Sequence, residues 1–168
     1  MSLAHGILVL VALQRLAELI YARRNARRLL DRGGRELGAA HYPLFVLLHA
    51  AWLVTLLLRV DAETPISWPL ILVFLALQAA RVWVILSLGR FWTTRVITLS
   101  GAPLVRRGPY RLVRHPNYLV VALEIPLLPL AFGDWQSAVV FSLLNAALLW
   151  WRIRVEDGAL AERRCAKG

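Results

Sequence analysis

Long apolar runs alternate with short, strongly basic segments along the chain. The runs cover approximately residues 3–22, 42–60, 67–88, 119–132 and 135–151. All but the fourth approach the roughly 20 residues that a helix needs to cross a bilayer. The fourth is short and contains Pro126 and Pro129, so we expect it to be kinked or partly re-entrant. The pattern predicts an all-α, multi-pass integral membrane protein with about five transmembrane helices.

These runs divide residues 1–168, which we treat as one domain, into two parts. Residues 1–88 hold three N-terminal spans. Residues 89–168 hold a polar loop, a helical hairpin and a C-terminal tail. The hairpin is indicated by Gly133 and Asp134, which form a turn signal between the fourth and fifth runs.

The charge pattern predicts how these spans are oriented in the membrane. The chain is 59% hydrophobic with a formal net charge of +10, which is typical of a membrane protein and not of a soluble nucleic-acid binder. Nearly all of the 20 Lys and Arg lie in the loop after the first run, the loop after the third run, and the tail. The positive-inside rule therefore predicts a cell-membrane protein with its N-terminus outside and both basic loops and the tail in the cytoplasm.

Away from the span ends, four charged side chains lie inside the predicted spans, where a charge is costly. They are Arg15, Glu18, Arg81 and Glu124. From the rise per residue of a helix, all fall in the cytoplasmic half of the membrane. We expect them to line a polar cavity open to the cytoplasm. The alternative is structural: Arg15 pairs with Glu18, and Arg81 pairs with Glu124, as buried ties between helices.

The densest polar stretch is residues 108–118, with the sequence GPYRLVRHPNY. Pro109 and Pro116 oppose a continuous helix there, because proline lacks an N–H and restricts the preceding residue. Nearby arginines make the segment strongly cationic. A plain connector between two helices needs none of this chemistry, so we interpret the segment as one wall of a ligand site at the membrane surface.

A second group of polar residues follows the fifth run. Arg152 and Glu156 are spaced i, i+4 and so share a helix face. An arginine can hold a carboxylate or enolate oxygen by forked hydrogen bonds, and an acid beside it can attract a cation or act as a base. The alternative is a surface salt bridge at a helix end.

The remaining cysteine, histidines and loop arginines give weaker evidence for a functional site. Cys165 is the one cysteine, which excludes an internal disulfide and any multi-cysteine metal site. His5, His41 and His49 are not spaced as a metal set, so we read them as structural and expect no metal. The arginines between residues 23 and 35 indicate an anionic-lipid patch.

Together, Gly108-Pro109-Tyr110, Arg114-His115-Pro116-Asn117-Tyr118, a helical hairpin and Arg152-x-x-x-Glu156-Asp157 resemble the isoprenylcysteine carboxyl methyltransferase family. The resemblance implies S-adenosyl-L-methionine as methyl donor and cofactor. It also implies that Arg152 and Glu156 lie at the reacting centre. The cofactor pocket would be lined by Tyr110, Arg114, His115, Pro116, Tyr118 and Asp157.

Within that family, the chain is similar to small bacterial members found beside type III polyketide synthases. Those are taken to O-methylate long-chain alkylpyrones or alkylresorcinols, which implies a lipid-like acceptor and a functional partnership with a polyketide synthase. A prenylcysteine-type carboxylate is another acceptor. The alternatives are an N-methyltransferase for phosphatidylethanolamine and a non-enzymatic small membrane protein. The sequence leaves the oligomeric state open.

Overall fold

The computed structural model describes residues 2–39, 42–99 and 107–165, and of residues 157 and 159–165 it describes the backbone alone. The helices are α1 (Leu3–Leu30), α2 (Tyr42–Arg59), α3 (Trp68–Leu88), α4 (Pro116–Ala131) and α5 (Trp135–Cys165). Short 3-10 helices cover Gly89–Phe91 and Gly108–Arg111. Two strands, β1 (Arg35–Leu37) and β2 (Val96–Thr98), pair antiparallel.

Among the described residues, four helices are long and apolar enough to cross a membrane, namely α1, α2, α3 and α5. Helix α4 has 16 residues and is shorter than the others, as expected of the fourth apolar run. Pro116 sets its start and Gly133, with a φ of 75°, turns the chain after its end. The predicted all-α membrane architecture is confirmed.

The boundaries differ from the sequence prediction at three places. Helix α1 continues past residue 22 to Leu30, and Arg27 and Arg28 lie in its last turn, where cations interact favourably with the helix dipole. The tail expected after residue 151 is a helical continuation of α5. The β1–β2 ribbon was not predicted, and it joins the two basic segments, with Arg95 Nη1 2.9 Å from Glu36 Oε2.

A contact between α2 and α4 compensates for a proline inside α4. Pro129 has no N–H, so the carbonyl of Ile125 has no helical donor four residues later. The buried indole of Trp52 donates from Nε1 to that carbonyl over 3.2 Å. Leu56 and Leu128, both 0% exposed, pack in the same core. This packing fixes α4, whose first turn belongs to the site described next.

Candidate active site

A cavity of about 280 Å³ lies at the meeting point of the five helices and of residues 92–94, which follow α3. Most of its lining side chains are apolar. Leu16 and Val46 line it and are also 53% and 38% exposed, so its wall continues onto the lipid-facing surface of α1 and α2. Two groups of polar side chains contribute to this wall, with Arg152 and Tyr118 in the first and Arg15, Glu18 and Arg81 in the second.

The first polar group joins the start of α4 to α5. Arg152 is 8% exposed and donates from Nε to the Tyr118 hydroxyl over 2.8 Å. The same hydroxyl donates to the Glu156 carboxylate. His115 stacks on the Tyr118 ring with 5.2 Å between centroids, and its Nδ1 lies 3.8 Å from Glu156. A tyrosine therefore bridges the two residues predicted at the reacting centre, and Arg152 is buried in this contact.

The guanidinium of Arg152 also lies against two aromatic rings. Its central carbon is 5.2 Å from the ring centroid of Phe45 and 5.5 Å from that of Tyr118. These contacts stabilise a cation in a poorly hydrated place. Among the described residues, its recorded hydrogen bond comes from Nε, which leaves the other N–H groups of the fork available to a ligand.

A glycine lets the loop before α4 approach α3 closely. Gly108 has a φ of 55°, and a Cβ there would lie 2.1 Å from Oγ of Ser87. Arg107 anchors the same contact by donating from Nε to the Ser87 carbonyl over 2.6 Å.

Burial, followed by the negative charge of Glu156, raises the pKa of Tyr110 above its ordinary value. The phenol of Tyr110 is therefore neutral and available as a hydrogen-bond donor.

The second polar group is an ionic network between α1, α3 and α4. Arg81 bonds to Glu18 and Glu124, each at 2.8 Å. Arg15 bonds to the same two carboxylates at 3.1 and 2.9 Å. Gln78 donates to Glu124 over 2.8 Å. Two cations and two anions thus neutralise one another, as buried charges in a membrane require.

The network has features of both alternatives that the sequence left open, a polar cavity lining and buried ion pairs that tie helices together. Arg15, Glu18 and Arg81 line the cavity, whereas Glu124, which is 2% exposed, does not belong to its wall. Glu124 therefore braces the two arginines from behind. The pairs expected as helix ties are present, and each arginine also bonds to the other pair's carboxylate.

The loop after α3 closes the cavity on the side of the basic segments. Asn25, which is 1% exposed, donates to the carbonyls of Gly89 and Trp92 over 3.2 and 2.9 Å. Tyr21 stacks on Trp92 with 6.0 Å between centroids. The extension of α1 past the predicted span thus holds Trp92 against the cavity.

The remaining predicted residues are less involved. Pro116 is buried at the first position of α4, and the side chain of Arg114 is exposed. The side chain of Asp157 and residue His41 lie outside the described part of the chain. Sequence reasoning missed Asn117 and His49, which both line the cavity. No spacing pattern marks either, although Asn117 stands inside the HPNY block.

Comparison with known proteins identifies the family of this site. The sequence profile of the isoprenylcysteine carboxyl methyltransferase (ICMT) family matches residues 70–162. The chain belongs to the ICMT family. The match runs from α3 into α5 and so includes His115, Tyr118, Arg152 and Glu156, while Arg15 and Glu18 precede it.

One curated relative matches over nearly the whole chain. It is "Uncharacterized protein YpbQ" of Bacillus subtilis (strain 168), 39% identical over 160 residues, which cover 93% of this chain and 95% of the relative. No solved structure matches significantly. ICMT membership makes the protein a member of a methyltransferase family, and its apolar helices make it a membrane protein.

Proposed function

We propose that this ICMT-family protein is an S-adenosyl-L-methionine-dependent O-methyltransferase acting on a lipophilic acceptor at the inner face of the membrane. One observation carries the proposal. Arg152 and Tyr118, whose hydroxyl also bonds to Glu156, line a largely apolar cavity whose wall reaches the lipid-facing surface. Such a site suits a reaction between a water-soluble donor and a membrane-resident acceptor.

The chemistry of the donor side fits S-adenosyl-L-methionine, which supplies a methyl group on a sulfonium. Glu156 offers a carboxylate to a cation, and its side chain is 30% exposed. The neighbouring His115 and Tyr118 rings offer aromatic faces, and Tyr110 offers a hydroxyl. The exposed Arg114 suits a carboxylate. These residues would hold the cofactor, with Asp157 as a further carboxylate.

The acceptor side is built around Arg152. The N–H groups of its fork other than Nε would hold the acceptor oxygen in its anionic form, and the packing of the guanidinium on Phe45 and Tyr118 fixes its position. An acidic enol needs no strong base. A phenol needs one, and Glu156 is our candidate because it bonds to the hydroxyl that also bonds to Arg152.

The apolar wall of the cavity suits a long alkyl tail on the acceptor. Leu16 and Leu19 of α1, with Val46 and Leu53 of α2, give the cavity an aliphatic lining. A long alkyl chain would lie along it and reach the bilayer through the exposed faces of Leu16 and Val46. A long-chain alkylpyrone or alkylresorcinol made by a polyketide synthase fits this shape, as does a prenylcysteine-type carboxylate.

The basic segments support the proposed orientation of this site. Twelve of the 19 arginines lie in residues 23–35 and 90–114, so the positive-inside rule predicts that these segments are in the cytoplasm. The cofactor would then enter from the cytoplasm and the acceptor from the inner leaflet.

The test uses purified protein in detergent, labelled S-adenosyl-L-methionine and three acceptors: an alkylpyrone, an alkylresorcinol and phosphatidylethanolamine. We expect label in an aromatic or enol ether, and loss of transfer in Arg152→Ala with retained cofactor binding. Label in the ethanolamine lipid alone supports an N-methyltransferase. Absence of saturable cofactor binding by calorimetry supports the non-enzymatic alternative. Full turnover in Arg152→Ala would remove the assignment of that residue.

A further inference from the structure

His49 contributes a hydrogen-bonding atom to the cavity that the proposed reaction does not use. It lies on α2, lines the cavity, and its Nδ1 is 2.8 Å from the carbonyl of Phe45. A carbonyl only accepts, so Nδ1 carries the proton. In a neutral imidazole of that tautomer, Nε2 holds the lone pair. Within the described residues, no protein donor to Nε2 is recorded.

The position of His49 follows from helix geometry. Phe45, whose ring lies under the Arg152 guanidinium at 5.2 Å, is one turn before His49 on the same face of α2. The rise of a helix puts His49 about 6 Å further along α2, away from the reacting centre. That separation is comparable to the span of one substituted ring.

The charges around His49 define which group would complement it. Arg15 and Arg81 line the same cavity, and their positive charges are directed to Glu18 and Glu124. The open lone pair of His49 therefore adds a neutral acceptor to the wall beside these paired charges. Such an atom is satisfied by a hydroxyl or N–H donor, and a carboxylate or ether oxygen does not satisfy it.

We propose that His49 Nε2 accepts a hydrogen bond from a second hydroxyl on the acceptor headgroup, so that the enzyme selects rings carrying two hydroxyls over rings carrying one. This inference rests on the proposed O-methyltransferase function. One hydroxyl lies at Arg152 for methylation, and the other lies one helical turn deeper at His49. The acceptor class is a dihydroxylated, alkyl-substituted ring.

The test compares two acceptors of equal chain length, a 5-alkylresorcinol and a 3-alkylphenol. A net hydrogen bond of about 1 kcal/mol gives the wild-type protein a preference in kcat/KM of roughly 3- to 10-fold for the resorcinol, beyond the statistical advantage of two equivalent hydroxyls. His49→Leu is expected to lose this preference, with a larger fall in kcat/KM on the resorcinol than on the phenol. His49→Gln, which keeps an acceptor at similar reach, is expected to retain part of it.

Each result decides the inference. His5→Leu is the matched control, because His5 contacts Ser2 near the start of α1, and it should change neither rate nor preference. A His49→Leu variant with the wild-type preference overturns the role of His49, as does one whose rates on both rings fall equally. If His49→Leu shows no cofactor-dependent thermal shift, His49→Gln is decisive: a reduced preference supports the inference, and the full wild-type preference counts against it. A wild-type protein that binds the cofactor but methylates neither ring refutes the proposed acceptor class, and this inference falls with it.

Discussion

The Tyr118 hydroxyl accepts a hydrogen bond from Nε of Arg152 over 2.8 Å and donates one to Glu156. Tyr118 belongs to the first turn of α4, whereas both partners belong to α5. The hydroxyl thereby sets the distance between a cation suited to an acceptor oxygen and an anion suited to a sulfonium. Arg152 and Glu156, which are spaced i, i+4, both bond to this hydroxyl, and it keeps their two charges apart.

Replacing Tyr118 by Phe tests this bridge. The change removes hydrogen bonds to two charged groups, each worth about 1.5–3 kcal/mol. We expect the loss of transition-state stabilisation to equal about one such bond, and kcat/KM for methyl transfer to fall roughly 10- to 150-fold, because Arg152 and Glu156 lose their common partner. The measurement is the initial rate with labelled cofactor. Tyr21→Phe is the control, since the recorded contact of Tyr21 is the stacking on Trp92, and an equal loss in both variants would contradict the role of the bridge.

Removing one arginine from the buried network should destabilise the fold more than removing an exposed one. Arg81→Met removes one of the two cations that pair with Glu18 and Glu124, and breaking a buried pair in this way costs about 3–5 kcal/mol. The Arg59–Asp134 pair has an arginine that is 47% exposed, so Arg59→Met should cost less than about 1 kcal/mol. The free energy of unfolding in mixed micelles measures both.

A combined variant separates packing from charge in the same network. Arg81→Met together with Glu124→Leu removes one cation and one anion, so it should recover part of the stability that Arg81→Met loses. Equal losses in Arg81→Met and Arg59→Met would show that the network contributes no more than a surface pair.

Structural features that depend on the local sequence pattern were predicted, and contacts between residues distant in the sequence were missed. The apolar runs predict the helices because span length is a local property. The β1–β2 ribbon pairs Glu36 with Ile97, and nothing near either residue indicates the other. His49 was read as structural because a lone histidine in an apolar run has no pattern. The roles assigned to Arg152 and Glu156 stay predictions, although their joint bond to Tyr118 was not foreseen.

The close approach of Gly108 to α3 can be tested against a glycine that has the same backbone strain and no neighbour. Gly133 has a φ of 75° and nothing within 4 Å of an added Cβ, whereas a Cβ at Gly108 would meet Ser87. Both alanine variants carry the left-handed strain of about 1–2 kcal/mol. Gly108→Ala should in addition shift the loop that carries Tyr110 and weaken cofactor binding several-fold, by roughly 1 kcal/mol or more.

Cofactor titration by calorimetry or thermal shift measures that difference. Ser87→Gly in the Gly108→Ala background removes the nearest side-chain atoms and should restore part of the affinity. Unchanged affinity in Gly108→Ala, or the same loss in Gly133→Ala, would show that the contact does not position the site.

The orientation in the membrane can be tested with single cysteines placed in the loops that precede and follow α3, a helix that is long enough to cross a bilayer. In a Cys165→Ser background, Ala62→Cys lies before α3 and Arg111→Cys lies after it, and both positions are exposed. The positive-inside rule predicts that an impermeant maleimide labels Ala62→Cys in intact cells and labels Arg111→Cys after permeabilisation. The reverse pattern would put the loop before α4 outside the cell, where the cytoplasmic pool of S-adenosyl-L-methionine does not reach it, and would refute the proposed meeting of donor and acceptor at the inner leaflet.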